Sequence, residues 1–339
     1  MAFDRTTLIR GPGYGTLGSS TTPSTTTNLI QSSNDAKVIF DAVNDDLMVS
    51  TQGKVDETRR DRKVRLSLTP KAYTPTQATL LAWMFAQCNQ LPVIGASLCG
   101  GTDTPFLYLG SNGDQLVLFN ACVPKPPQLN LDINKDLLGP LEIVGLIRNN
   151  FDPETANSIF SWTTGISYAA PVLLQTGVVI GRQRYGMYWA AGNTAAGNSH
   201  FGSASSASAF QGKEGITIDF QADWQEETVQ GLTVDYKLGE KGLHAMARLI
   251  PAGPTATDII ACQQFQGTGS KHGSRLTANT AMGDAIFYGQ IGGTFTIKNA
   301  VLKTAGFVFG GKPLRTGEIG LMGTFNLTGT PSTGGVLLA

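Results

Sequence analysis

Residues 13–18 read Gly-Tyr-Gly-Thr-Leu-Gly, the G-x-G-x-x-G spacing of a turn that cradles the pyrophosphate of a dinucleotide. That chemistry needs a strand before the glycines and a helix opening on the third, so that the helix N-terminus faces the phosphates. Residues 19–27 are instead Ser and Thr interrupted by Pro23, without apolar periodicity, and no helix is expected to start there. Nor does an acidic residue follow on a second strand at the distance that would hold a ribose. The glycines are expected to let the backbone turn sharply where a strand leaves into a long loop.

No other group of residues assembles a reaction centre. His200, His244 and His272 are scattered along the chain, and no G-x-S-x-G, H-E-x-x-H, Walker or calcium-loop pattern occurs. Gly310-Gly311-Lys312 is followed by Pro313 and sits among alternating residues, so it does not read as a phosphate loop. The pairs Asp45-Asp46, Asp56-Glu57 and Glu226-Glu227 would place neighbouring carboxylates on opposite faces of a strand, which is wrong for an acid/base couple. Cys88, Cys99, Cys122 and Cys262 show neither zinc-knuckle nor C-x-x-C spacing and read as buried free thiols in a reducing compartment. The expectation is a protein that is not an enzyme, with no cofactor and no metal.

The composition agrees with a structural role. Of 339 residues, 41 are Gly and only 15% are charged, with 25 basic and 25 acidic side chains. That profile suits an all-β chain with many turns. Zero net charge gives no pull toward nucleic acid or anionic lipid and removes one defence against self-association. Asp4, Arg5 and Arg10 leave no room for the apolar segment of a secretory leader, and none is expected. The longest charge-free stretch, 72–102, is broken by Gln77, Gln87, Asn89, Gln90 and Pro92, so no membrane span is expected.

The elements repeat. DETRRDRKVRLSL from Asp56 and EETVQGLTVDYKL from Glu226 share an acidic pair, a short turn and strict alternation, with Val64, Leu66 and Leu68 against Val234, Tyr236 and Leu238. Asn120-Ala121 recurs 179 positions later as Asn299-Ala300. Leu141, Ile143, Gly145 and Ile147 recur 178 positions later as Ile319, Leu321, Gly323 and Phe325. TLIRGPG corresponds loosely to LLQTGVV from Leu173. Each half then reads as a strand, a Gly/Ser/Thr loop (15–33 and 192–210), a run of strands, one helix and further strands. The helices are expected over TPTQATLLAWMFAQ, capped by Thr74 with Leu80, Leu81, Trp83, Met84 and Phe85 inward, and over EKGLHAMARLI, with Leu243, Met246, Leu249 and Ile250 inward. The predicted organisation is a first domain at 1–150, a linker at 151–168, a second domain at 169–330 and a C-terminal tail at 331–339.

One charge feature distinguishes the halves: RRDRK at 59–63 is basic where the matched VQGLT at 229–233 is neutral. It reads as a turn. Arg59, Arg60, Arg62, Lys63 and Arg65, with Asp235 as the acidic counterpart of Arg65, are the candidate inter-subunit contacts.

The order TLIRGPG, a polar loop, a strand, VDETRRDRKVRLSLTPKA and a helix beginning TPTQATLLAW resembles the major tail tube proteins of long-tailed bacteriophages. NACVPKPPQLNLDINKDLLGPLEIVGLIRNN is similar to the same family, with a strand, a Pro-rich turn and a final strand. The resemblance implies a mainly β (α+β) chain of two tandem β-sandwich or barrel domains, each flanked by one α-helix. It implies three chains in a pseudo-hexameric ring, and rings stacked into a tail tube through which DNA leaves the head. The implied partners are the chain itself, tape measure and tail terminator or tip proteins, and passing double-stranded DNA without specific binding; no membrane is involved. The implied location is the virion, after the host cytoplasm. A conduit should not grip phosphates, so Asp56, Glu57, Asp132, Glu226 and Glu227 are candidate lumen-facing acids, with outside solvent as the alternative. A baseplate hub, a capsid decoration protein, a porin or adhesin, and a β-sandwich enzyme are the competing readings.

Overall fold

Alternation of apolar and polar residues dominates the chain, and the computed structural model is mainly β with almost no helix. It describes residues 6–8, 13–19, 21, 28–33, 35–73, 80, 83–85, 95, 97, 104–147, 159–168, 184–190, 200–201, 210–229, 232–252, 283–289, 294–304, 307–308, 315–316, 318–323 and 336–338.

The first half holds β1 (Thr6–Leu8), β2 (Tyr14–Leu17), β3 (Leu29–Ser32), β4 (Lys37–Val49), β5 (Gly53–Leu68), β6 (Pro70–Tyr73), β7 (Phe106–Leu109), β8 (Gln115–Leu118), β9 (Leu129–Leu131), β10 (Leu141–Gly145) and β11 (Phe160–Thr163). One sheet runs β1-β4-β5-β10 and the other β11-β8-β7-β2-β3-β6. A bridge between Cys122, past the end of β8, and Val144 of β10 links them. Leu66, Val38 and Ile143 from one sheet and Ile30, Phe106 and Leu116 from the other are fully buried in a shared core. Each such side chain contributes about 1.5–3 kcal/mol relative to exposure. β11 comes from the stretch read as a linker: it pairs with β8, and Phe160 and Trp162 pack on Phe40 at 5.0 and 6.5 Å.

The second half holds β12 (Tyr185–Ala190), β13 (His200–Phe201), β14 (Phe210–Val229), β15 (Leu232–Pro251), β16 (Gly283–Gly289), β17 (Thr294–Thr304), β18 (Phe307–Val308), β19 (Arg315–Thr316), β20 (Ile319–Gly323) and β21 (Val336–Leu338). Here β12, β16, β17, β20, β15 and β14 pair in that order. The circle closes through Gly186 opposite Gln211 and Met187 opposite Phe210. It is a closed six-stranded barrel, which leaves no free edge among its own members.

Strand order is common to both halves. The path β2-β7-β8, bridge, β10-β5-β4 in the first matches β12-β16-β17-β20-β15-β14 in the second. The Cys122–Val144 bridge recurs as Val301 opposite Met322, 179 and 178 positions on. The register also corrects one sequence match. Leu68 pairs with Leu141 and Leu249 with Ile319, so Val64, Leu66 and Leu68 correspond to Ala245, Ala247 and Leu249 rather than to Val234, Tyr236 and Leu238. The two alternating runs lie eleven residues apart along one long strand type, and alternation alone cannot tell them apart.

The expected flanking helices are not borne out among the described residues. EKGLHAMARLI lies inside β15, where Leu243, Ala245, Ala247 and Leu249 are buried while Met246 and Ile250 are only half-buried. Ladders to β14 on one side and β20 on the other hold this segment extended, so tertiary pairing overrides its helix-favouring Ala and Met content. In TPTQATLLAWMFAQ only Leu80, Trp83 and Met84 are helical among the described residues. Leu80, Met84 and Phe85 are buried there as expected, and Trp83 is half-buried. The polar loop expected at 15–33 is shorter, because Leu29–Ser32 is β3, paired with β2.

Candidate functional site

The glycines of 13–18 serve packing. A Cβ on Gly13 would overlap the Tyr108 phenol, and one on Gly15 would overlap the Phe106 ring. Both aromatics stand on β7, directly across from β2, and both are fully buried. Only Gly18, with φ +79°, does what the turn reading expected. Tyr108 Oη lies 2.5 Å from Ser32 Oγ, which accepts from the Gly13 N–H at 3.2 Å. Burial pushes the Tyr108 phenol up to about 12 despite that hydrogen bond to Ser32.

His244 is engaged by the backbone. The two ring nitrogens of His244 lie 3.2 Å from the Gly323 carbonyl and 2.6 Å from the Lys241 carbonyl. His200 is on β13, and His272 lies outside the described residues, as do Cys88, Cys99 and Cys262. Cys122 is a buried thiol whose Sγ donates to the Val144 carbonyl at 3.8 Å. Among the described residues no three His, Cys, Asp or Glu side chains gather as a metal site, and no helix is long and apolar enough to cross a membrane. A cleft of about 300 Å³ lies between the halves, lined in part by Lys125, Gln128, Glu142 and Asp219.

The contact between the halves is the most elaborate surface. β9 of the first half adds as a strand to β14 of the second, with Leu129, Asn130 and Leu131 opposite Ile218, Thr217 and Ile216. Gly215, at φ +80°, permits this approach: a Cβ there would come within 2.6 Å of Asp132 Cβ. Cys122, Val144 and Leu146 of the first half form one buried cluster with Tyr236 of the second, and Trp224 packs against it. Phe85 meets Phe220 at 5.2 Å between ring centroids. The Asn120 amide, on a residue with φ +44°, donates to the Val234 carbonyl at 3.2 Å. Ser97 bridges Lys237.

Charged residues frame this contact. Lys63 Nζ lies 2.6 Å from Glu226 Oε2 and 6.0 Å from the centre of the Tyr236 ring. Glu226 also accepts from Thr233 Oγ1 at 3.2 Å. With 46% of the Glu226 side chain exposed, such a pair is worth about 0–1 kcal/mol. It orients the halves, and the apolar cluster with the added strand holds them. Glu227 pairs with Lys237 at 2.7 Å, which raises the lysine's pKa. Asp235 is half-buried opposite Glu227 and receives the Tyr236 N–H at 2.7 Å. Arg65 pairs with Asp41 at 2.5 Å and Glu142 at 3.7 Å, and the Asp41 hydrogen bond raises its pKa. It does not meet Asp235 among these pairs.

The basic run is strand rather than turn. Arg59, Arg60, Arg62 and Lys63 all lie within β5; Arg59, Arg62 and Lys63 stand opposite Asn44, Ala42 and Asp41 of β4, Arg60 falls at a register shift, and Arg62 is exposed. Asp56 and Glu57 sit nearer the hairpin tip, opposite Leu47 and Asp46, and Asp56 is exposed. Asp132 is not on a long strand. It follows β9 in a turn, half-buried, where its Oδ1 accepts the Asn134 N–H at 3.0 Å. The five acids therefore occupy three places: the first hairpin tip, the turn after β9 and the second hairpin. An unforeseen feature is that tip itself, where Leu47, Met48, Val49 and Val55 are 38–65% exposed. The apolar run Leu47-Met48-Val49 beside Asp45-Asp46 was its signal in the sequence.

No protein-family model matches the chain, and a search of curated proteins gives no match. The reading of function therefore stands on the strand repeat and the contact between its copies.

Proposed function

We propose that this chain is a structural protein that assembles with copies of itself into a closed ring of three chains, each contributing two similar wedges, and that such rings stack into the tube of a phage tail. The observation that supports it most is the addition of β9 from the first half to β14 of the second. This contact is heterologous: the two surfaces differ, so each wedge carries one donor and one acceptor side. Heterologous contacts propagate and form rings when the rotation closes. Two related copies per chain, as in a duplicated module, need only threefold closure for six wedges. The matching strand paths and the recurring bridge are what a duplication would leave.

On this reading Asp56 and Glu57 belong to a surface that repels DNA phosphates, and Arg59, Arg60 and Arg62 to contacts between chains. Tape measure, terminator and tip proteins are the further partners, and the virion is the working location. Sedimentation velocity over a range of concentrations tests the ring. The expected outcome is a discrete species at three times the 35.8 kDa chain mass, or larger assemblies built from it. A monomer at every concentration rejects the proposal.

A further inference from the structure

The two halves differ in what covers the equivalent edge of their long hairpins. Pairing places Lys37 and Val38 of β4 in the positions of Thr217 and Ile218 of β14: Val38 faces Leu66, and Ile218 faces Ala247, the counterpart of Leu66. On β14 this edge is covered by β9, with Asn130 opposite Thr217 and Leu129 opposite Ile218. On β4 it is covered by β1, with Leu8 opposite Lys37 and Thr7 opposite Val38. Thus the first half caps itself with the N-terminal strand where the second half is capped by its neighbour.

The counterpart of β9 is β18. Leu129 bridges Leu138, and 178 positions on Phe307 faces Thr316. Yet β18 pairs only with β19 among the described residues, in a two-stranded sheet of its own. One strand has lost its acceptor edge, and one acceptor edge holds a substitute. The residues flanking these edges exchange sizes as well. In the internal contact Gly215 makes room for Asp132; the corresponding sequence positions are Asp35 and Gly310, so the small residue has moved to the other partner.

We infer that β18 of one chain adds to β4 of the next, with Val308 opposite Lys37 and Phe307 opposite Val38, and that β1 occupies this edge in the isolated chain as a removable cap. The occupant is a second copy of this chain. Main-chain hydrogen bonds along the edge supply the affinity, as in strand addition generally. A cap that must leave lowers apparent affinity by the fraction of chains in the open state. The inference rests on the proposal that the chain self-assembles, and it names the surfaces involved.

Two double-cysteine variants of the full chain and one truncation test it, read by sedimentation velocity and by non-reducing gels. In Leu8→Cys with Lys37→Cys, oxidation ties β1 onto β4; assembly is expected to be lost when oxidised and restored by reductant. In Lys37→Cys with Val308→Cys, oxidation of the assembled protein is expected to give cross-linked multimers that neither single variant gives. Removal of residues 1–10 is expected to lower the concentration for half-assembly by about tenfold or more, the factor by which the capped state would reduce affinity. Equal assembly of the locked and reduced forms, or assembled protein without a 37–308 cross-link, overturns the strand exchange while leaving self-assembly in place. Failure of every form to assemble, including the truncated chain, overturns both.

Discussion

Gly13 and Gly15 look like ligand-binding residues and act as sockets for Tyr108 and Phe106. The account predicts that Gly15→Ala destabilises the chain by about 1–3 kcal/mol through overpacking, because Phe106 is fully enclosed and its ring cannot swing aside. A urea titration of the variant measures it, and an unchanged midpoint would contradict the packing described. A second residue-scale observation recurs within each half: the Trp83 indole donates to the Ala121 carbonyl at 3.1 Å, and the Trp189 indole to the Ala300 carbonyl at 2.9 Å. Those alanines are the repeated Asn-Ala partners, 179 positions apart, yet the two tryptophans come from different elements. Trp189→Phe keeps most of the ring and removes this hydrogen bond to Ala300, for an expected loss of about 0.5–1.5 kcal/mol in the same assay. Tyr108 carries a pH prediction. Its folded pKa, about 12, lies above the ordinary phenol value of about 10. The unfolded chain therefore ionises first, so stability is whole below pH 10 and declines as pH rises toward 12. Tyr73, half-buried against the core, is also raised by desolvation and adds to the decline. Urea midpoints across this window should fall for the native chain and fall less for Tyr108→Phe; equal slopes would remove Tyr108 from the account.

At the scale of elements, β15 separates strand from helix by side-chain phase. Ala247 is fully buried and Met246 half-buried. Ala247→Lys should unfold the chain or cost more than about 3 kcal/mol through an unpaired buried charge. Met246→Lys should cost less than about 1 kcal/mol, being able to reach solvent. The helix reading, with Met246 inward, predicts the reverse order, and thermal melts of both variants decide between them. Period-two alternation made the last part of β5 and the first part of β15 readable from sequence, and the inward phase of Val64, Leu66, Leu68, Val234, Tyr236 and Leu238 was set by it. What alternation cannot carry is register over twenty residues, and so the match between halves slipped by eleven positions. Nor can it reveal that β9 crosses to the other half, since a three-residue strand has too few side chains to show a period. The charged run at 59–63 reads as a turn for its lack of apolar residues, yet it is strand, held extended by its ladder to β4.

For the molecule as a whole, one contact type carries the reading: a strand from one wedge completing the sheet of the next. Charge should tune it without supplying it. Replacing Arg59, Arg60 and Arg62 with Glu is expected to weaken assembly at low salt and less so at high salt, where screening shortens the reach of exposed charges to a few ångströms. Sedimentation at the two salt concentrations checks this, and equal assembly of variant and native chain at low salt would take the arginines out of the interface. The central claim is most directly tested by negative-stain electron microscopy of the purified full chain at rising concentration. Hollow tubes with a regular axial repeat, built of rings with six similar lobes, are the predicted result. Single particles that never close into rings, at any concentration, would contradict it.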